Sequence, residues 1–160
     1  MQHPGRPFAK LLVVYFGLIE IAHIIALAQA AVRLALSGTI PFPAPPPPGG
    51  WSAQARPFLI SMGVLDAINV VFALAFVYGY FAAARWRWCV GAVSLSVATY
   101  SAILYGFGAV FSGAWAHNAA AYWSVAVAYS PVAVLTVLYV MWAARGQLHG
   151  SWSQERGSSP

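Results

Sequence analysis

The sequence predicts an all-α integral membrane protein: an antiparallel bundle of four transmembrane helices with both termini cytoplasmic. Three observations carry this. Only 7% of the residues are charged and 61% are hydrophobic, whereas soluble domains are about one-quarter charged. Four apolar runs reach the ~20 residues that a helix needs to cross a bilayer. Lys and Arg are concentrated on one side of those runs, as the positive-inside rule requires.

The spans fall at about 10–35, 57–82, 89–112 and 121–144. Lys10 opens the first, and Arg33 can snorkel outward from its far end. Its apolar stretch is longer than the ~7–15-residue core of a cleaved signal, so it is expected to remain as an anchor. Pro57 stands at the start of the second span, where its missing N–H is harmless. The AARWRW segment, 83–88, separates the second and third spans, and SGAWAHNAA forms a hairpin into the fourth, which stops at Arg145. One domain is expected: a cytoplasmic tail over 1–9, the membrane domain over 10–144, and a disordered cytoplasmic tail over 145–160. Asn69 and Asn118 lack the following residues that glycosylation needs.

Arg6 and Lys10, Arg85 and Arg87, and Arg145 and Arg156 all fall on one side; the other has Arg56 and Arg33. Trp86, Trp88 and Trp142 would sit at the inner interface, with Trp51, Trp115 and Trp123 at the outer one. The net charge of +5 is spread over helix ends and forms no basic stripe, so nucleic acid is excluded as a partner. The lone Cys89 permits no intramolecular disulfide. Residues 37–56, SGTIPFPAPPPPGGWSAQAR, are the only long loop. Pro45 to Pro48 should be extended. The segment reads as a connector that stops a helix, or alternatively as a strap over the outer mouth.

Two of the three acidic residues, Glu20 and Asp66, lie inside spans. His23 and Asn69 follow them by three residues, which puts each pair on one helix face. Intramembrane acids are expensive and commonly functional. At ~1.5 Å per residue, His23 and Asn69 both lie ~20 Å from the inner surface, with Glu20 at ~15 Å and Asp66 at ~24 Å. By depth, Asp66 is the partner expected for His23. The stripe Gly17, Glu20, His23, Leu27, Ala30 and Ala31 should meet Met62, Gly63, Asp66, Asn69, Val70 and Ala73. Ser96, Thr99, Tyr100, Ser101 and Tyr105 fall near the same depth, as do Tyr122, Tyr129 and Thr136 at intervals of seven. Pro131 frees the carbonyl of Val127, which could line a small cavity. His117 should be solvated; His3 and His149 lie in tails.

The candidate ligand-binding residues are Glu20, His23, Asp66, Asn69, Tyr100 and Tyr129. The first expectation is a ligand-binding or accessory membrane subunit whose polar layer takes a lipophilic small molecule. The second is an acid–base enzyme, of isomerase or cyclase type, with Glu20, His23 and Asp66 as the catalytic groups. The third is a proton-coupled transporter or channel, which would require a homo-oligomer. A membrane protein partner fits the accessory reading, and the bilayer itself is the surrounding partner. No metal or other cofactor is expected: paired-histidine spacing is absent, only one histidine lies in a span, and no span buries a lysine for a retinal Schiff base.

The size and four-span layout look like those of several broad groups of small membrane proteins, the DoxX-like group among them. Membrane acids beside a histidine are similar in kind to those of the sterol isomerase group. Neither likeness rests on a motif, and no residue role is transferred.

Overall fold

The computed structural model describes residues 6–40 and 44–157, with side chains over 7–40 and 44–142. His3 lies outside the described residues, as do the side chains of Arg145, His149 and Arg156. The described chain forms helices and no strand: α1 (Arg6–Ser37), α2 (Ala55–Phe81), α3 (Arg87–Phe111), α4 (Ala114–His117) and α5 (Ala119–Gly157). Four segments are long and apolar enough to cross a membrane: Pro7–Ser37, Ala55–Phe81, Arg87–Phe111 and Ala119–Trp142. Helix is the economical choice for such segments, because every backbone N–H and C=O is satisfied within the segment itself.

Each helix stops for a local reason. Gly38 takes φ +68°, and its N–H returns to the Leu34 carbonyl at 2.9 Å, ending α1. Ala83 takes φ +52° after α2, and the Ala84 N–H closes onto the Gly79 carbonyl at 2.9 Å. Two departures from the sequence expectation stand out. The hairpin before the last span contains the short helix α4. The last helix does not stop at 144: its backbone is helical to Gly157, where composition predicts a frayed tail.

The long helices close a ring in the order α1, α2, α3, α5, each packing on two others. One end of the ring is solid. Phe16, Phe76, Leu95, Leu135 and Tyr139 are fully buried there, contributed by all four helices. Lipid is as apolar as these side chains, so close van der Waals fit rather than water exclusion holds them. The fit is tight: a Cβ added at Gly91 would lie 2.6 Å from the Tyr139 hydroxyl and 2.7 Å from the Phe76 ring. The Tyr139 hydroxyl donates to the Arg87 carbonyl at 2.6 Å, and Thr99 and Thr136 share a hydrogen bond of 2.9 Å.

The other end is built by the Pro-rich segment and α4. Ala44 is buried among Met62, Tyr105 and Tyr122. The Tyr122 hydroxyl donates to the Pro45 carbonyl at 3.0 Å, and the Asn118 amide donates to the Pro46 carbonyl at 3.3 Å. The Trp51 indole donates to the Ile40 carbonyl at 2.9 Å. The segment is therefore strapped across the helix ends rather than merely joining them. Trp51 and Trp115, expected in an outer aromatic belt, turn inward instead: Trp51 packs on Tyr105 and Trp115 stacks on Tyr122. Trp123, 60% exposed, faces outward.

Candidate functional site

Between the solid end and the strap the ring stays open around a cavity of about 410 Å³. This is within the ~300–1,000 Å³ usual for small-molecule sites. Its walls are apolar, with Leu27 and Leu34 from α1 and Leu59 and Met62 from α2. Ile40 and Trp115 bring the strap and α4 to its rim. Its deep end is polar and is made by Glu20, His23, Asp66, Asn69, Ser101 and Tyr129.

The three-residue spacings on α1 and α2 do the positioning. On α1, Phe16 belongs to the solid end, Glu20 and His23 to the polar layer, and Leu27 to the cavity wall. On α2 the same layers recur in reverse order, from Leu59 and Met62 through Asp66 and Asn69 to Ala73 and Phe76. The two faces approach closely because small residues lie at the crossing: Gly17 fits against Val77 and Gly63 against Leu27.

His23 is the hub. Its Nε2 lies 3.7 Å from Asp66 Oδ2, an ion pair when the imidazole is protonated. Its Nδ1 is hydrogen-bonded to the Tyr129 hydroxyl, and the two rings meet edge to face. The pairing across helices is the one that depth selects, His23 with Asp66. The Ser101 side chain hydrogen-bonds to Asp66 from α3. Asn69 donates to the Ser94 carbonyl at 3.2 Å, tying α2 to α3. Its own carbonyl oxygen Oδ1 is buried without a partner, although the residue is only 4% exposed.

Glu20 differs from its neighbours. It is 2% exposed and lines the cavity, and among the described residues no group donates a hydrogen bond to it. A buried polar group without a partner is costly and calls for an explanation.

The structure brings together five of the six candidate ligand-binding residues. Tyr100 is the exception: it is 64% exposed on the outer face of α3 and does not line the cavity. Depth alone placed it in the layer, and depth carries no azimuth. Thr99 and Thr136 likewise pair outside the cavity, as interhelical contacts. The Val127 carbonyl freed by Pro131 accepts from Ser130 Oγ at 2.8 Å, and Val127 is not part of the lining of this cavity. His117 is exposed, as its hairpin position predicts. Sequence reasoning put Tyr105 and Tyr122 near the depth of the polar layer and Trp115 in an outer belt, but not the three together on the cavity lining, where they stand. The signal was the Trp115–Tyr122 spacing across the short hairpin, which acquires meaning only once α4 turns the chain.

Among the described residues no group of three His, Cys, Asp or Glu side chains is arranged to hold a metal ion. Comparison of the chain with protein-family models, with curated proteins and with solved structures finds no match.

Proposed function

We propose that this is a small multi-pass membrane protein that binds a lipophilic small molecule, with the molecule's polar end at the Glu20, His23, Asp66, Asn69 and Tyr129 layer. The observation that carries the reading is Glu20, a buried carboxyl lining an apolar cavity, to which no group among the described residues donates a hydrogen bond. A structural role would pair it, since unsatisfied acids within a membrane are expensive. On this reading the helices run antiparallel with both termini cytoplasmic, in a plasma or inner membrane. The reversed order of layers on α1 and α2 and the Arg85–Arg87 turn support that arrangement.

A second reading has one specific observation in its favour. The chain of groups from Tyr129 through His23 to Asp66 links a hydroxyl, an imidazole and a carboxyl, which is the composition of an acid–base relay. On that reading Glu20 and Asp66 exchange protons with a bound apolar substrate, as in a double-bond isomerisation. The oligomeric transporter has less support, because Glu20 and Asp66 face the cavity within one chain rather than a surface where copies could meet.

Native mass spectrometry of the protein extracted gently with its lipids, as wild type and as the Glu20→Gln/Asp66→Asn variant, tests the first reading. A bound small molecule seen only on the wild type is the expected result. A protein partner retained by both forms, with no small ligand on either, would overturn it in favour of an accessory subunit. The mass of a retained ligand and of any rearranged product separates binding from catalysis.

A further inference from the structure

The lining of the cavity is unbalanced in two ways. It contains two carboxyl groups, one imidazole and no lysine or arginine. It also has, at its polar end, acceptors to which none of the described groups donates a hydrogen bond. The Asn69 amide nitrogen is occupied by the Ser94 carbonyl, Ser101 is engaged with Asp66, and the Tyr129 hydroxyl with His23. Left over at this end, among the described residues, are the Glu20 carboxyl and Asn69 Oδ1, both on residues more than nine-tenths buried. A ligand that completes this site must donate hydrogen bonds, and positive charge is favoured because the lining offers two carboxyl groups and neither lysine nor arginine.

Three other features were weaker. The exposed face of α3 around Phe107 and Phe111 has nothing on it to indicate an occupant. Cys89 is a lone exposed thiol. The surface recess lined by Ala28, Gln29, Val32 and Arg33 has no buried polar side chain among its lining residues.

Resting on the reading of the cavity as a lipophilic ligand site, we propose that its ligand is a protonated amine on an apolar body, its ammonium N–H directed at Glu20 and Asn69 Oδ1. The apolar part then runs along Leu27, Leu59 and Met62 toward the strap. The Tyr129 ring stands beside the ammonium and adds a cation–π face. Neutral lipids of equal length fill the same wall but leave the Glu20 carboxyl unpaired. Fatty carboxylates bring a third carboxyl group to a deep end that already holds two.

The test is equilibrium binding at pH 7 to the protein in phosphatidylcholine nanodiscs, with binding to empty nanodiscs subtracted. Three probes share one chain length: N,N-dimethyldodecylamine, 1-dodecanol and dodecanoate. The amine is expected to bind about ten- to a hundredfold tighter than the alcohol, the range of a charge-assisted hydrogen bond shielded from water. Dodecanoate should be the weakest. Glu20→Gln, which keeps shape and removes charge, should bring amine and alcohol within about threefold. Asp66→Asn should reduce the amine's advantage by a smaller factor, and the wild-type ranking needs no variant to fold. Equal, saturable binding of amine and alcohol would leave the cavity reading standing and overturn the cation. Preference for dodecanoate would overturn it likewise. If none of the three binds saturably, both the proposal and the lipophilic-ligand reading fall.

Discussion

At the scale of single residues, Glu20 separates a ligand site from structural glue. Among the described residues Glu20 has no donor, whereas His23, Asp66 and the Asn69 amide nitrogen have partners. Glu20→Gln is therefore expected to raise the stability of the ligand-free protein by about 1–2 kcal/mol, because an isosteric neutral group is less costly to bury. Thermal unfolding in detergent checks this; a fall in stability would mean that Glu20 holds the fold together. Tyr129→Phe removes the hydroxyl on His23 and should lower stability by about 0.6 kcal/mol, the usual worth of one interhelical hydrogen bond in a membrane. Tyr100→Phe should change neither stability nor ligand binding, since that hydroxyl points away from the cavity.

At the scale of helices and their crossings, glycines mark where backbones and rings press together. Gly91→Ala should destabilise by about 1–3 kcal/mol, because the new methyl group meets the Tyr139 hydroxyl and the Phe76 ring. Gly106→Ala, on the same helix with nothing within 4 Å, should be tolerated. Unfolding temperatures of the two variants give the comparison directly. Tyr122→Phe releases the Pro45 carbonyl and should loosen the strap. Faster hydrogen exchange over 44–52, with the solid end unchanged, is the expected signature. Pro131 shows how an element absorbs a defect: its missing N–H leaves the Val127 carbonyl to Ser130, so α5 continues without a break.

At the scale of the whole molecule, the fold divides into a packed half and an open half, with the polar layer at the boundary. The packed half holds the helices in place, and the strap and α4 cover the far end of the cavity. The arrangement gives Cys89, the only cysteine and exposed beside the Arg85–Arg87 turn, a defined side of the membrane. A membrane-impermeant maleimide should label it in inside-out vesicles and leave it unlabelled in right-side-out ones. The opposite pattern would reverse the topology and place the strap in the cytoplasm.

The sequence by itself determined the class of protein and its layers. Run length fixed the four spans to within a few residues, because bilayer thickness leaves a helix little freedom of length. The three-residue spacings put Glu20 with His23 and Asp66 with Asn69, and depth paired His23 with Asp66. Composition predicts a frayed tail from 145, and the backbone there is helical to Gly157. What only the tertiary structure decided was azimuth and closure. Tyr100 and Tyr129 share a depth, yet one faces outward and the other meets His23. The proline-rich loop lies across the ring because Tyr122 and Asn118 hold it there, a contact more than seventy residues apart in the chain. Local periodicity fixes which residues share a helix face; only the packing of the other helices fixes which face turns inward.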